Sequence, residues 1–225
     1  MTNKERVSTV LRVLNRTYPE AHCALTHVDP FQLLMATILS AQCTDECVNR
    51  VTPALFQRFP TAERMAEADP AVLEKAIHPT GFFRAKTRSL LGASRRLAED
   101  FGGRVPQTME ELLRLPGVAR KTANVVLGTA YGIASGVVVD THVIRISQRL
   151  GLSRHQNPVK IEQDLMRLIP GKQWIAFSHQ VIFHGRRICE ARKPKCAQCP
   201  LMDVCVFPDR LRIAADSKKG PERRG

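Results

Sequence analysis

Four cysteines fall within seventeen residues of this chain: Cys189, Cys196, Cys199 and Cys205, spaced C-x6-C-x2-C-x5-C. Thiolates this dense in a short loop can wrap one metal centre. Structural zinc usually brings two C-x2-4-C knuckles, and here only one pair is close. A [4Fe–4S] cube is bulkier and takes one thiolate at each iron corner. The spacing therefore favours iron–sulfur over zinc, with reduced bystander thiols a remoter reading. The other three cysteines, Cys23, Cys43 and Cys47, read as small core residues.

A second set of residues could do a different chemistry. In Leu112-x-x-Leu115-Pro116-Gly117-Val118-Ala119-Arg120-Lys121, a tight Pro-Gly hairpin joins two helices. Such a hairpin presents backbone N–H groups at a helix N-terminus, which holds a phosphate without reading a base. The plain alternative is an ordinary helix–helix turn. Lys121 opens the second helix, where the dipole disfavours an ammonium, and a deprotonated lysine can form a Schiff base. Asp140 precedes Thr141-His142-Val143-Ile144. It reads either as a helix N-cap or as a carboxylate facing the lysine across a cleft.

Helices must position these groups. Val7, Val10, Leu11 and Leu14 make one apolar stripe. Asp29-Pro30, Asp69-Pro70 and Asn157-Pro158 each pair an N-cap with proline at the first helical position. Thr108 with Glu111 spells a capping box. Phe83 to Phe101 reads as a long amphipathic helix, with Leu90, Leu91 and Leu97 on one side, Lys86 among the cations on others, and Gly102-Gly103 to stop it. Trp174 to Ile188 is a further helix. Val137-Val138-Val139 is the best strand candidate and is short for one. The fold class is all-α, with eight to ten helices.

Composition narrows the partner. The chain of 225 residues is 44% hydrophobic, which excludes wholesale disorder, and carries 34 Lys+Arg against 21 Asp+Glu, formally +13. A protein this basic expects a polyanion, nucleic acid first and anionic membrane second. The uncharged run from Ala123 to Val139 falls short of the ~20 apolar residues a bilayer needs. The N-terminus shows no secretory pattern, and seven cysteines, an odd number, argue against a complete disulfide framework. These features read as intracellular. The polar end of the chain, from residue 212, reads as a disordered basic tail.

Taken together, LPGVARKTANVVLGTAYG, VVVDTHVIRISQRLGL, the four-cysteine spacing and ILSAQCTDECVNR resemble the endonuclease III family. These are helix–hairpin–helix DNA glycosylases with an iron–sulfur cluster. The resemblance runs from about residue 5 to about residue 210. It implies two helical domains flanking a DNA-binding cleft: a six-helix domain over 24–134, and a cluster domain from 1–23 plus 135–211, with 212–225 as the tail. It implies that Lys121 is the nucleophile, Asp140 the catalytic carboxylate, and Cys189, Cys196, Cys199 and Cys205 the ligands of a [4Fe–4S] cluster. DNA contacts would come from Gln42, Phe82, Gly117, Ala119, Arg192, Lys193 and Lys195. Ser40, Asp45 and His142 match positions near a lesion pocket.

The implied partner is double-stranded DNA with damaged bases or abasic sites, met by a cytoplasmic, nucleoid-associated monomer with no membrane role. Two departures stand out. Ala119 replaces the second glycine of the usual hairpin, which would cost ~1 kcal/mol if that position needs positive φ. Phe82 stands where leucine is usual, behind a stiffening Pro79. The rival readings are an adenine-mismatch glycosylase of the same superfamily, which typically lacks the lysine, and a non-catalytic iron–sulfur DNA-binding redox sensor.

Overall fold

A side-chain acceptor followed by proline starts a helix because the acceptor satisfies an orphan N–H and proline needs none. The structure, a computed structural model, describes residues 2–218. Its helices are α1 (Asn3–Thr17), α2 (Pro30–Leu39), α3 (Asp45–Arg58), α4 (Ala62–Ala66), α5 (Pro70–Ile77), α6 (Phe83–Phe101), α7 (Met109–Leu112), α8 (Arg120–Tyr131), α9 (Thr141–Arg149), α10 (Pro158–Leu168), α11 (Trp174–Arg187) and α12 (Arg210–Lys218). The three Asx-Pro starts hold: Asp29, Asp69 and Asn157 accept first-turn N–H groups of α2, α5 and α10. The count exceeds ten because α4 and α7 are single turns, too short to show a period.

The chain divides into two compact units, residues 23–135 and residues 1–22 with Gly136 onward. In the first, α2 is buried along nearly its whole length from Phe31 to Leu39, as a helix apolar but for Gln32 and Thr37 requires. Leu90, Leu91 and Leu97 of α6 and Ala123, Val126 and Leu127 of α8 share its core. Gly102 takes φ +56°, and Gly103 N–H donates to Leu97 O at 2.8 Å, closing α6 as a glycine stop should. Lys86 does not face solvent with the other α6 cations. It is 5% exposed, and its Nζ donates to Thr80 O at 2.7 Å. A long stem reaching a buried carbonyl is invisible to helical periodicity.

In the second unit, α1 buries Val7, Val10, Leu11 and Leu14 in a core with Val143 and Ile146 of α9, Ile161 and Leu165 of α10, and Phe177 and Val181 of α11. The reciprocal capping box sits here, not at Thr108. Glu5 N–H donates to Thr2 Oγ1 and Thr2 N–H to Glu5 Oε2. At Thr108 the hydroxyl accepts from Glu111 N–H but itself donates to Glu111 Oε2 at 2.6 Å, so only half the box forms. Val137–Val139 is buried but forms no strand, since Val138 N–H is taken by the Ser178 hydroxyl at 3.0 Å. The expected tail is helical where it is described. α12 covers Arg210–Lys218, with Arg212 paired to Asp209 and Asp216 at helical spacing. The rest of that tail lies outside the described residues. Among the described residues no helix is long and apolar enough to cross a membrane.

Candidate functional site

The hairpin before Lys121 is held from below. Leu112, Leu115 and Val118 are buried, and Val118 N–H returns to Leu115 O at 3.1 Å. Gly117 has φ +78°, and a Cβ there would lie 2.5 Å from Ser89 Cβ, so both backbone and space demand glycine. Ala119 carries no such demand. Its φ is −99°, so the strain expected at this alanine is absent. α8 then begins with no side-chain cap at Ala119, the kind of helix N-terminus that can receive an anion. Lys121 is exposed at the second position of α8.

Asp140 is an N-cap. Its Oδ1 accepts from His142 N–H at 2.8 Å and from Val143 N–H at 2.9 Å, which locks the carboxylate at the start of α9. His142 is fixed from two sides. Arg145 Nη2 donates to its Nδ1 at 3.0 Å, and Gly185 packs so close that a Cβ there would lie 2.6 Å from Nδ1. Burial lowers the imidazole's pKa, with Arg145 and Arg186 acting the same way and Asp140 opposing. Arg145 also donates to Gly185 O and, through Nε and Nη2, to Cys189 O. The helix that carries Asp140 is thereby tied to the end of α11 and to the first cysteine of the C-terminal set.

All four of those cysteines line one small pocket, closed by Ile188, Pro194, Met202 and Phe207. Arg149 braces its loop: Nη1 donates to Cys189 Sγ at 3.2 Å and to Glu190 O at 2.9 Å, Nη2 donates to Ala191 O at 3.0 Å, and the guanidinium lies over the Phe207 ring. His184 Nε2 is 3.7 Å from Cys199 Sγ, and its Nδ1 shares a hydrogen bond with the Tyr18 hydroxyl. Burial lowers the His184 pKa to about 4, so the ring is neutral. Burial and the neighbouring thiols push the Cys199 thiol up to about 12, which means that thiolates gathered here need a positive centre among them. Among the described residues no three His, Cys, Asp or Glu side chains converge as on a single ion. Four thiols around one pocket suit a cluster with a corner for each.

The remaining predicted residues are placed as follows. Gln42 and Phe82 are exposed, Phe82 by 66%, and they are the only non-glycine residues with positive φ among those described, at +51° and +47°. Ser40 ends α2, and its hydroxyl donates to Thr37 O. Asp45 begins α3 behind the Thr44 cap. Arg192 and Lys193 are exposed and make no hydrogen bond or ion pair among the described residues, whereas Lys195 is engaged. Its Nζ donates to Arg187 O and pairs with Glu190 at 3.0 Å. Sequence reading missed Arg145, Arg149 and Tyr18, and reads His184, five residues from His179, as structural. The two arginines stand four apart on α9, which places them on one face, but nothing in that spacing says the face meets a cysteine loop.

A helical hairpin ahead of an exposed lysine, with four cysteines around one pocket, defines a helix–hairpin–helix protein with an iron–sulfur site. Residues 35–171 match the model of the HhH-GPD superfamily base excision DNA repair proteins, and residues 189–205 match the iron–sulfur binding domain of endonuclease III. Endonuclease III of Synechocystis sp. is 57% identical over 204 residues, covering 91% of this chain and 93% of that protein. Endonuclease III of Escherichia coli K12 is 35% identical, covering 94% and 100%. The structure of a trapped endonuclease III–DNA covalent intermediate superposes with a TM-score of 0.87 at 38% identity, covering 97% of this chain and 100% of that one. The chain belongs to the endonuclease III family.

Proposed function

We propose that this chain is a bifunctional DNA glycosylase and AP lyase of base excision repair that removes oxidised pyrimidines, such as thymine glycol, from duplex DNA. One observation carries the assignment of roles: an exposed lysine in the first turn of an uncapped helix, directly behind a phosphate-ready hairpin. The relative with the trapped DNA intermediate forms a covalent complex with DNA, as a Schiff-base lysine would.

The damaged nucleotide leaves the stack because its glycosidic bond cannot be reached inside the duplex. Gly117 and the N–H groups opening α8 hold a phosphate. Lys121 Nζ attacks the sugar C1′ as the base departs. Asp140, held by its two N–H donors, stabilises the positive charge developing on the sugar or takes up the nucleophile's proton. The resulting iminium acidifies C2′, and β-elimination breaks the 3′ C–O bond. Exposed Gln42 and Phe82 fill the stack left by the flipped nucleotide, and their left-handed backbone aims them outward. Cys189, Cys196, Cys199 and Cys205 would hold a [4Fe–4S] cluster, whose contribution when bound is to cross-link and charge the loop bearing Arg192 and Lys193. By the family resemblance, Ser40, Asp45 and His142 match positions near a lesion pocket. A duplex-DNA substrate supports a cytoplasmic protein associated with the nucleoid.

Incubation with a thymine-glycol duplex and borohydride tests the reading. A covalent adduct is expected with the natural protein and none with Lys121→Gln, which should still bind DNA. Base release without an adduct would identify a water-using glycosylase. Binding with neither, on every lesion tried, would leave the non-catalytic sensor.

A further inference from the structure

Two half-buried thiols lie outside the cluster loop and are not the plain core residues expected of them. Cys43 follows the bend after α2, and Cys47 sits in the first turn of α3. The Cys43 thiol donates to Thr44 O at 3.7 Å and lies beside Cys47. The Cys47 thiol donates in turn to Pro79 O at 3.3 Å, and the next carbonyl, that of Thr80, takes Lys86 Nζ at 2.7 Å. Pro79 and Thr80 form the 3-10 turn His78–Thr80, which runs through Gly81 into Phe82. On its other side the pair adjoins Gln42, and Cys43 N–H is bonded to Ser40 O at 3.1 Å. The thiol pair therefore stands between the two segments bearing the left-handed, exposed, non-glycine residues, and the Cys47–Pro79 bond ties one to the other. Burial and the neighbouring Cys47 raise the Cys43 pKa, the buried Lys86 ammonium works against that rise, and the same ammonium opposes a metal cation beside the thiols.

We propose that Cys43 and Cys47 are an oxidisable dithiol, and that their disulfide frees the Phe82 turn and lowers affinity for duplex DNA. The oxidant is a peroxide. The Cys47 sulfur attacks one peroxide oxygen, the O–O bond breaks, and the departing hydroxide takes a proton to leave as water. The Cys43 sulfur then attacks the Cys47 sulfenic acid, the S–S bond forms, and the S–O bond breaks. The second hydroxide leaves as water with the Cys43 proton. Two electrons have passed from the sulfurs to the peroxide. Neither sulfur keeps a hydrogen, so the Pro79 carbonyl loses its donor. The effect on DNA binding rests on the proposed function; disulfide formation does not.

The test treats the full cluster-containing protein with hydrogen peroxide while the cluster's visible absorbance is followed. Peptide mass reports the thiols, and fluorescence anisotropy reports binding to a duplex with a tetrahydrofuran abasic analogue. The expected result is a Cys43–Cys47 disulfide and an affinity lower by about fivefold, the weight of one lost hydrogen bond, at constant cluster absorbance. Dithiothreitol should restore both. Cys47→Ser, whose hydroxyl still donates to Pro79, should bind as the reduced protein does and ignore peroxide. Two free thiols after treatment would overturn the proposal, as would unchanged affinity in fully disulfide-linked protein. Reduced protein that fails to bind the duplex at all would instead count against the proposed function, with the disulfide still readable by mass.

Discussion

At Gly117 and Ala119 the hairpin separates two demands that look alike in sequence. Gly117 needs its missing Cβ twice over, for φ +78° and for the 2.5 Å approach to Ser89. Ala119 sits at φ −99°, where an alanine is at ease and a glycine only adds freedom to the unfolded chain. Gly117→Ala should therefore destabilise by roughly 1–3 kcal/mol, combining left-handed strain with overpacking. Ala119→Gly should cost only about 0.4–1 kcal/mol. Urea unfolding of the two variants beside the parent checks the order. If Ala119→Gly were instead stabilising, the turn would be strained at the alanine after all.

Helix α9 is the element on which the proposed chemistry and the cysteine loop both depend. Its N-terminus fixes Asp140 and His142, and one of its faces sends Arg145 and Arg149 to the loop around Cys189. Gly185 is the tightest point of that assembly. Gly185→Ala would press a methyl against the His142 ring, at 2.6 Å from Nδ1 before relaxation, and disturb the Arg145 bond. We expect a loss of roughly 1–3 kcal/mol in stability. We also expect slower single-turnover base release with the cluster absorbance retained, read by thermal melting and by rapid quench. Base release at the parent rate would detach His142 from the reaction. How much of this was legible beforehand follows the range of each interaction. Asx-Pro starts, the Gly102-Gly103 stop and the apolar stripe of α1 are written in residues a few places apart, and reading them succeeded. The four cysteines, Lys121 and Asp140 stood out by type and spacing. Arg145 reaches across forty-four residues to Cys189, and Lys86 turns inward to Thr80, and no local period encodes either. The left-handed backbone at Gln42 and Phe82 is likewise not written in their residue types, since neither type favours it.

For the molecule as a whole, 34 basic against 21 acidic residues set the terms of meeting DNA, because each neutralised phosphate releases counterions and steepens the salt dependence of binding. The three cations of the cluster loop should not contribute equally. Arg192 and Lys193 are exposed with no partner among the described residues, so both are available to phosphates. Lys195 is already held by Glu190 and the Arg187 carbonyl, and it would give up those bonds to reach DNA. The plot of log affinity against log salt should therefore flatten by about 0.9 for Arg192→Gln and again for Lys193→Gln, and by clearly less for Lys195→Gln. The last variant should show its effect elsewhere, as earlier loss of cluster absorbance on heating, because it unties the loop from α11. An equal flattening in all three variants would mean that DNA pulls Lys195 off Glu190. In that case the ion pair at 3.0 Å belongs to the free protein alone, and the loop rearranges on binding.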